Sequence, residues 1–79
     1  MYYVYVLKST IKPWRYTGST GDIKQRLAEH NTGQSRATRP YAPFQLIYLE
    51  KYASRPEAIR RELYFKTGKG REDLDRMIN

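Results

Sequence analysis

The chain has 79 residues, with 15 Lys and Arg against 8 Asp and Glu and a formal charge of +7 at neutral pH. A chain of this size buries only ~60% of its unfolded surface, so it is expected to form one domain spanning residues 1–79, with no apolar residues left over for a second core. The absence of cysteine excludes disulfides, thiolate zinc sites and cysteine nucleophiles together and suits a reducing cytoplasm; the longest apolar run, Tyr2 to Leu7, is too short for a membrane span or a signal peptide.

A hydrophobic share of 39%, with 14% aromatic residues, is enough for a small core and argues against a disordered basic tail. Basic residues predominate between Lys8 and Arg39 and again between Lys51 and Arg71, so the positive excess belongs to the body of the domain. Charge of this density repels itself in a compact state and favours a polyanionic partner, nucleic acid ahead of an anionic membrane.

In chain order, Tyr2, Val4 and Val6 alternate with Tyr3, Tyr5 and Leu7, a β-branched and aromatic run that reads as a central strand with both faces covered. Turn residues from Thr10 to Pro13 lead to a second short strand, Trp14 to Gly18, and the two form a hairpin. Asp22 and Gln25 give a capping-box signature for a helix whose apolar stripe is Ile23 and Leu27 and which ends near His30, with Asn31 and Gly33 as stop signals. Asn31 to Pro43 has no periodicity and reads as a long functional loop carrying Arg36 and Arg39. Gln45 to Tyr52 reads as a third strand, with Leu46, Tyr48 and Glu50 on one side and Ile47, Leu49 and Lys51 on the other. Ser54 and Glu57 form a second capping box opening a helix to about Thr67, which Gly68 and Gly70 stop; a last helix covers Arg71 to Ile78. The order β-β-α-β-α-α indicates an α+β domain, a three-stranded antiparallel sheet with helices packed beside it.

Glu62 stands out because helical spacing puts it with Ala58, Ile59 and Phe65 on the stripe expected to face the sheet. A half-buried carboxylate requires a cation, a donor or a raised pKa, and the commonest solution is an ion pair, here with Arg55, Arg61, Lys66 or an arginine of the first helix. The other solution is a hard cation: one carboxylate completed by waters and phosphate oxygens is a normal magnesium shell. Arg26 and His30, four residues apart, share a face of the first helix. The ordinary readings are a solvated arginine and a histidine favoured by the helix C-terminus. Tyr5 and Tyr16 are core aromatics by default, and Gly18 in or at the end of a strand suggests close backbone approach.

Taken together these segments resemble the GIY-YIG nucleases. Tyr3-Val4-Tyr5 is similar to the first half of the name motif and Tyr16-Thr17-Gly18 to the second. Asp22 to Asn31 resembles the arginine-bearing helix, and Ala58 to Phe65 the helix with the metal-binding glutamate. The register covers nearly the whole chain and resembles small single-domain bacterial members related to the nicking subunit of excision repair. The resemblance implies the GIY-YIG fold and a DNA endonuclease, a possible place in DNA repair, and a single Mg2+ or Mn2+ ion bound by Glu62. It further implies that Arg26 contacts the scissile phosphate, that Tyr5, Tyr16 and His30 surround the attacking water, and that Gly18 keeps the backbone clear. Arg36, Arg39 and Lys66 are then expected to hold nucleic acid, DNA in preference to RNA. A tyrosine of ordinary pKa is only ~0.1% ionised at neutral pH, and half-ionisation requires ~4 kcal/mol of phenolate stabilisation; Tyr16 and His30 both remain candidates for the base.

Three departures from the pattern matter. Tyr3 stands where the name motif has glycine. Ser19 follows the second motif where excision-repair members carry lysine, whose help then comes from elsewhere, with Lys8, Lys24 and Arg36 as candidates. Asn79, the last residue, is no clear match for the asparagine some members place in the site. The alternative is therefore a noncatalytic nucleic-acid-binding module on the same fold, with tyrosines stacking bases; an RNA-recognition-type sheet fits less well, because its aromatic-rich glycine motif is missing. With no room for a specificity domain, selectivity would come from substrate shape or a protein partner.

Overall fold

The computed structural model describes residues 1–78. Asn79 lies outside the described residues. Strand β1 (Tyr2–Ser9) pairs antiparallel with β2 (Arg15–Thr20) on one side and β3 (Phe44–Tyr52) on the other, giving the sheet order β2-β1-β3. The expected central strand is thus β1, and β2 is an edge. Helix α1 (Ile23–Asn31) follows β2, and α2 (Arg55–Phe65) and α3 (Gly68–Ile78) follow β3. The chain is the expected α+β arrangement in the order β-β-α-β-α-α. No helix among the described residues is long and apolar enough to cross a membrane.

Strand pleating divides the core in two. Val4 and Val6 point to one face and pack with Ala58, Phe65 and Leu74 of α2 and α3. Tyr5 and Leu7 point to the other and pack with Phe44, Tyr16, Ile23 and Leu27, beneath α1. Because residues opposite one another in a ladder share a face, the pairs Tyr5 with Gly18 and Leu7 with Tyr16 belong to the α1 side, whereas Val4 with Ser19 belongs to the α2 side.

The capping signals act as expected. Asp22 accepts from the Gln25 amide at 3.0 Å, and Ser54 and Glu57 close a reciprocal box at the start of α2. Three local expectations are corrected. In β3 the register shifts opposite Val6 and Leu7, which pair with Tyr48 and Leu46, so Ile47 is an extra residue. This bulge breaks the alternation: Leu46 packs beneath α1, while Ile47, Tyr48 and Tyr52 pack on the α2 side. The glycines after α2 do not lie between helices. Gly68 opens α3, and Gly70 is buried in its first turn where an added Cβ would overlap the Tyr64 carbonyl, so Gly70 is required for the close approach of α3 to α2. The long loop also contains a short 3-10 turn, Arg39–Tyr41.

Candidate active site

The sheet edge decides how residues from opposite faces meet. Tyr5 and Tyr16 lie on the α1 side and Ser19 on the α2 side, and β2, with no strand beyond it, lets the two sets adjoin around its rim. Gly18 sits at the crossing. A Cβ there would fall 2.5 Å from the Tyr5 Oη and 3.0 Å from Tyr16 Cε2, so the two phenol rings occupy the space a side chain would need.

On the α2 side, the half-buried Glu62 receives a hydrogen bond from Ser19 Oγ to Oε1 at 2.6 Å and an ion pair from Lys66 Nζ to Oε2 at 2.7 Å. The same Lys66 Nζ stands 5.7 Å from the centre of the Tyr16 ring, so one flexible cation spans the sheet rim between carboxylate and phenol. Of the cations considered as stand-ins for the missing lysine, Lys24 and Arg36 are exposed elsewhere and Lys8 lines a hollow with Pro13 and Ile78. The cation beside Glu62 is Lys66. Ile59, expected on the buried stripe, is exposed and forms the wall of a cleft instead.

Beneath α1 the polar groups are closed off from water. His30 is fully buried, with Nε2 3.0 Å from Tyr5 Oη and Nδ1 2.8 Å from Thr38 Oγ1. The Arg26 guanidinium lies beside the Tyr5 hydroxyl and can only donate to it, leaving the phenol proton for His30 Nε2. His30 is then protonated on Nδ1 and donates to Thr38, whose hydroxyl turns to the Ser35 carbonyl at 3.5 Å. Burial, and next the neighbouring Arg26, lower the His30 pKa, consistent with a neutral ring. Burial pushes the Tyr5 phenol up to about 12 against the opposing pull of Arg26, with Tyr16 and Glu62 also near enough to act on it. Ionising such a group at neutral pH costs roughly 7 kcal/mol.

Arg26 keeps a half-exposed side chain, paired with Glu29 at 3.1 Å, and lines a cleft of about 310 Å³ with Ser19, Gly21 and Arg55. A second hollow, about 410 Å³, lies on the other side of Glu62 and is lined by Trp14, Tyr16, Lys66 and Arg71 among others. Arg36 and Arg39 line neither. Arg39 donates to the Gly33 carbonyl at 2.7 Å, holding the loop, and Arg36 is exposed. Of the expected site residues, Tyr5, Tyr16, Gly18, Arg26, Glu62 and Lys66 thus gather at one rim, with His30 behind Tyr5 and the loop arginines apart. The sequence offers Arg55 only as a candidate ion pair for Glu62, a place Lys66 takes; Ser19 shows there only as a departure, and Thr38, in an aperiodic loop, leaves no signal.

A family model described as the GIY-YIG catalytic domain matches residues 1–75. The chain belongs to the GIY-YIG family. It is 45% identical over 65 residues to a UPF0213 protein of Streptococcus agalactiae, covering 81% of this chain and 73% of that protein. It is 40% identical over 67 residues to a UPF0213 protein of Halobacterium salinarum, covering 84% and 86%. The solution NMR structure of the UPF0213 protein BH0048 from Bacillus halodurans superposes with a TM-score of 0.58 at 32% identity, over 96% of this chain and 83% of that one. GIY-YIG is a nuclease family, which makes nucleic acid the substrate class of this fold; the relatives' names add no activity of their own.

Proposed function

We propose that this GIY-YIG chain is a divalent-metal-dependent endonuclease that hydrolyses phosphodiester bonds in DNA, selecting by strand structure more than by sequence, in a reducing cytoplasm. The observation that carries the reading is the convergence at Gly18, where the edge of β2 brings two phenols, an arginine and a single carboxylate to one rim of the sheet. Glu62 offers hard carboxylate oxygens suited to magnesium or manganese, and because no three acidic or histidine side chains cluster among the described residues, the rest of the shell would come from water and phosphate oxygens. An ion bound at Glu62 would displace the Lys66 ammonium that the carboxylate now pairs with. Bound there, the ion would neutralise charge developing on the phosphate oxygens.

The chain's own residues supply the rest. Arg26, half exposed at the cleft, would exchange its Glu29 pairing for the phosphate. Tyr16, acting as the phenolate after giving its own proton to solvent, takes the proton from water, because its ring faces the open hollow beside Lys66 while His30 is sealed behind Tyr5. Tyr5, tied to His30 and raised to about 12, stays a neutral phenol that orients the reacting groups. Magnesium-dependent nicking of supercoiled plasmid by the full chain is expected to fall at least about 100-fold in Glu62→Ala and Arg26→Ala. Equal nicking by all three proteins would assign the cleavage to a contaminant and remove the proposal. The noncatalytic alternative has one observation in its favour, the Lys66 ion pair that occupies Glu62; salt-sensitive DNA binding with no cleavage under magnesium or manganese would select it.

A further inference from the structure

The hollow on the Trp14 side of Glu62 has a different chemistry from the cleft beside Arg26. The cleft pairs Arg26 and Arg55 with small polar residues and suits a phosphate. The hollow combines aromatic surface from Trp14 and Tyr16 with the cations Arg15, Lys66 and Arg71, in a concavity of about 410 Å³, within the range of small-ligand pockets. It runs along the open edge of β2, where strand backbone groups have no partner strand.

We propose that this hollow is a subsite for an unpaired nucleotide of the substrate strand, next to the phosphate placed at Glu62, with the base against the Trp14 and Tyr16 aromatics and the outer phosphate on Arg71. The inference rests on the nuclease reading for the neighbouring phosphate and adds to it the strand state the site accepts. Two features of the hollow and one of the nucleic acid support it. Trp14 is already held flat by Tyr41, ring centres 3.9 Å apart at 13°, so a base docking on it orders little that is not ordered. Arg15 is committed to Asp75 at 2.5 Å and Lys66 to Glu62, whereas Arg71 has no ion pair among the described residues and remains available to a phosphate. Aromatic docking also needs an exposed base face, which a stacked duplex does not present and an unpaired nucleotide does.

Trp14 is the only tryptophan in the chain, so its fluorescence reports on the surfaces it lines, this hollow and the one beside Lys8, and the Arg71→Ala comparison separates the two. The full chain in metal-free buffer is titrated with short oligothymidylate, with an abasic strand of equal length, and with polyglutamate, while the anisotropy of a labelled strand reports total binding. Saturable quenching by oligothymidylate, weak quenching by the abasic strand and by polyglutamate, and about tenfold weaker binding by Arg71→Ala are expected. Oligouridylate in parallel separates RNA from DNA as the source of the nucleotide. Binding by anisotropy without a change in Trp14 emission overturns the subsite even where plasmid nicking stands. Equal quenching by polyglutamate also overturns it, marking a general anion hollow. Quenching that survives in a protein unable to nick supports the subsite and counts against the nuclease reading instead.

Discussion

At Gly18 one methyl group decides whether Tyr5 and Tyr16 can keep their positions. The added Cβ would press on the Tyr5 hydroxyl, and that hydroxyl has no slack: His30 holds it from behind and Arg26 lies beside it. Gly18→Ala is therefore expected to displace the phenols at about 1–3 kcal/mol in stability while lowering plasmid nicking by a far larger factor than Ser19→Ala does. Urea melts and nicking rates of the two variants check this, and a Gly18→Ala protein with full activity would show that the phenols need not sit where they do. Part of this arrangement is legible in sequence and part is not. Glu62 is visible because a carboxylate on an apolar helical stripe is a local anomaly, and Lys66 because it follows one turn later. The Ser19 bond and the sealing of His30 by Thr38 depend on which strand lies at the edge and how an aperiodic loop folds back, and neither leaves a periodic trace.

Among the elements, the join between β3 and α2 rests on one carboxylate. Glu50, 16% exposed, accepts from Tyr48 at 2.5 Å, from Tyr52 at 2.7 Å and from Arg61 Nε and Nη2 at 3.0 and 3.3 Å, while the Arg61 guanidinium lies 4.3 Å from the Phe65 ring centre. Burial alone would raise the Glu50 carboxyl, but the bonds from Arg61, Tyr48 and Tyr52 overcome it and leave its pKa below the ordinary 4.5. A depressed carboxyl contributes stability above the unfolded pKa and loses it as pH falls through the folded value. Glu50→Gln, which keeps the shape and strands the Arg61 charge, is expected to lose about 2–4 kcal/mol at pH 7, with the gap from wild type narrowing as pH drops below 4.5. Denaturant titrations across that range test it; a gap independent of pH would mean the charge is not what matters. The cluster exists because of the Ile47 bulge, which puts Tyr48, Glu50 and Tyr52 on the α2 face. Strict alternation instead grouped Leu46 with Tyr48 and Glu50. Strand and helix existence follows from residue type and capping, but a bulge shifts faces without altering hydropathy, and Gly70 reads as a breaker until the Tyr64 backbone beside it is known.

For the whole molecule, a charge of +7 overstates the cations free to meet a polyanion. Arg61 is spent on Glu50, Arg15 on Asp75, Arg76 on Asp73 and Arg39 on its own loop. What remains near the rim is Arg55 in one cleft and Arg71 in the other hollow, joined by Arg26 and Lys66 where a phosphate displaces Glu29 and Glu62 from them, along a seam where α2 spans roughly 16 Å, room for two or three extended nucleotides. If these four carry the phosphate contacts, binding of a single strand should fall with salt at a log–log slope near −3, since each contact contributes about −0.7. Arg55→Ala and Arg71→Ala should each make the slope shallower by about 0.7, while Arg36→Ala, on the loop away from both hollows, should leave it unchanged. Anisotropy titrations over a range of potassium chloride, in metal-free buffer, read all four proteins directly. A slope that responds to Arg36 and not to Arg55 or Arg71 would move the nucleic-acid path from the β2 rim to the loop after α1, and with it the role assigned to the charge of this small domain.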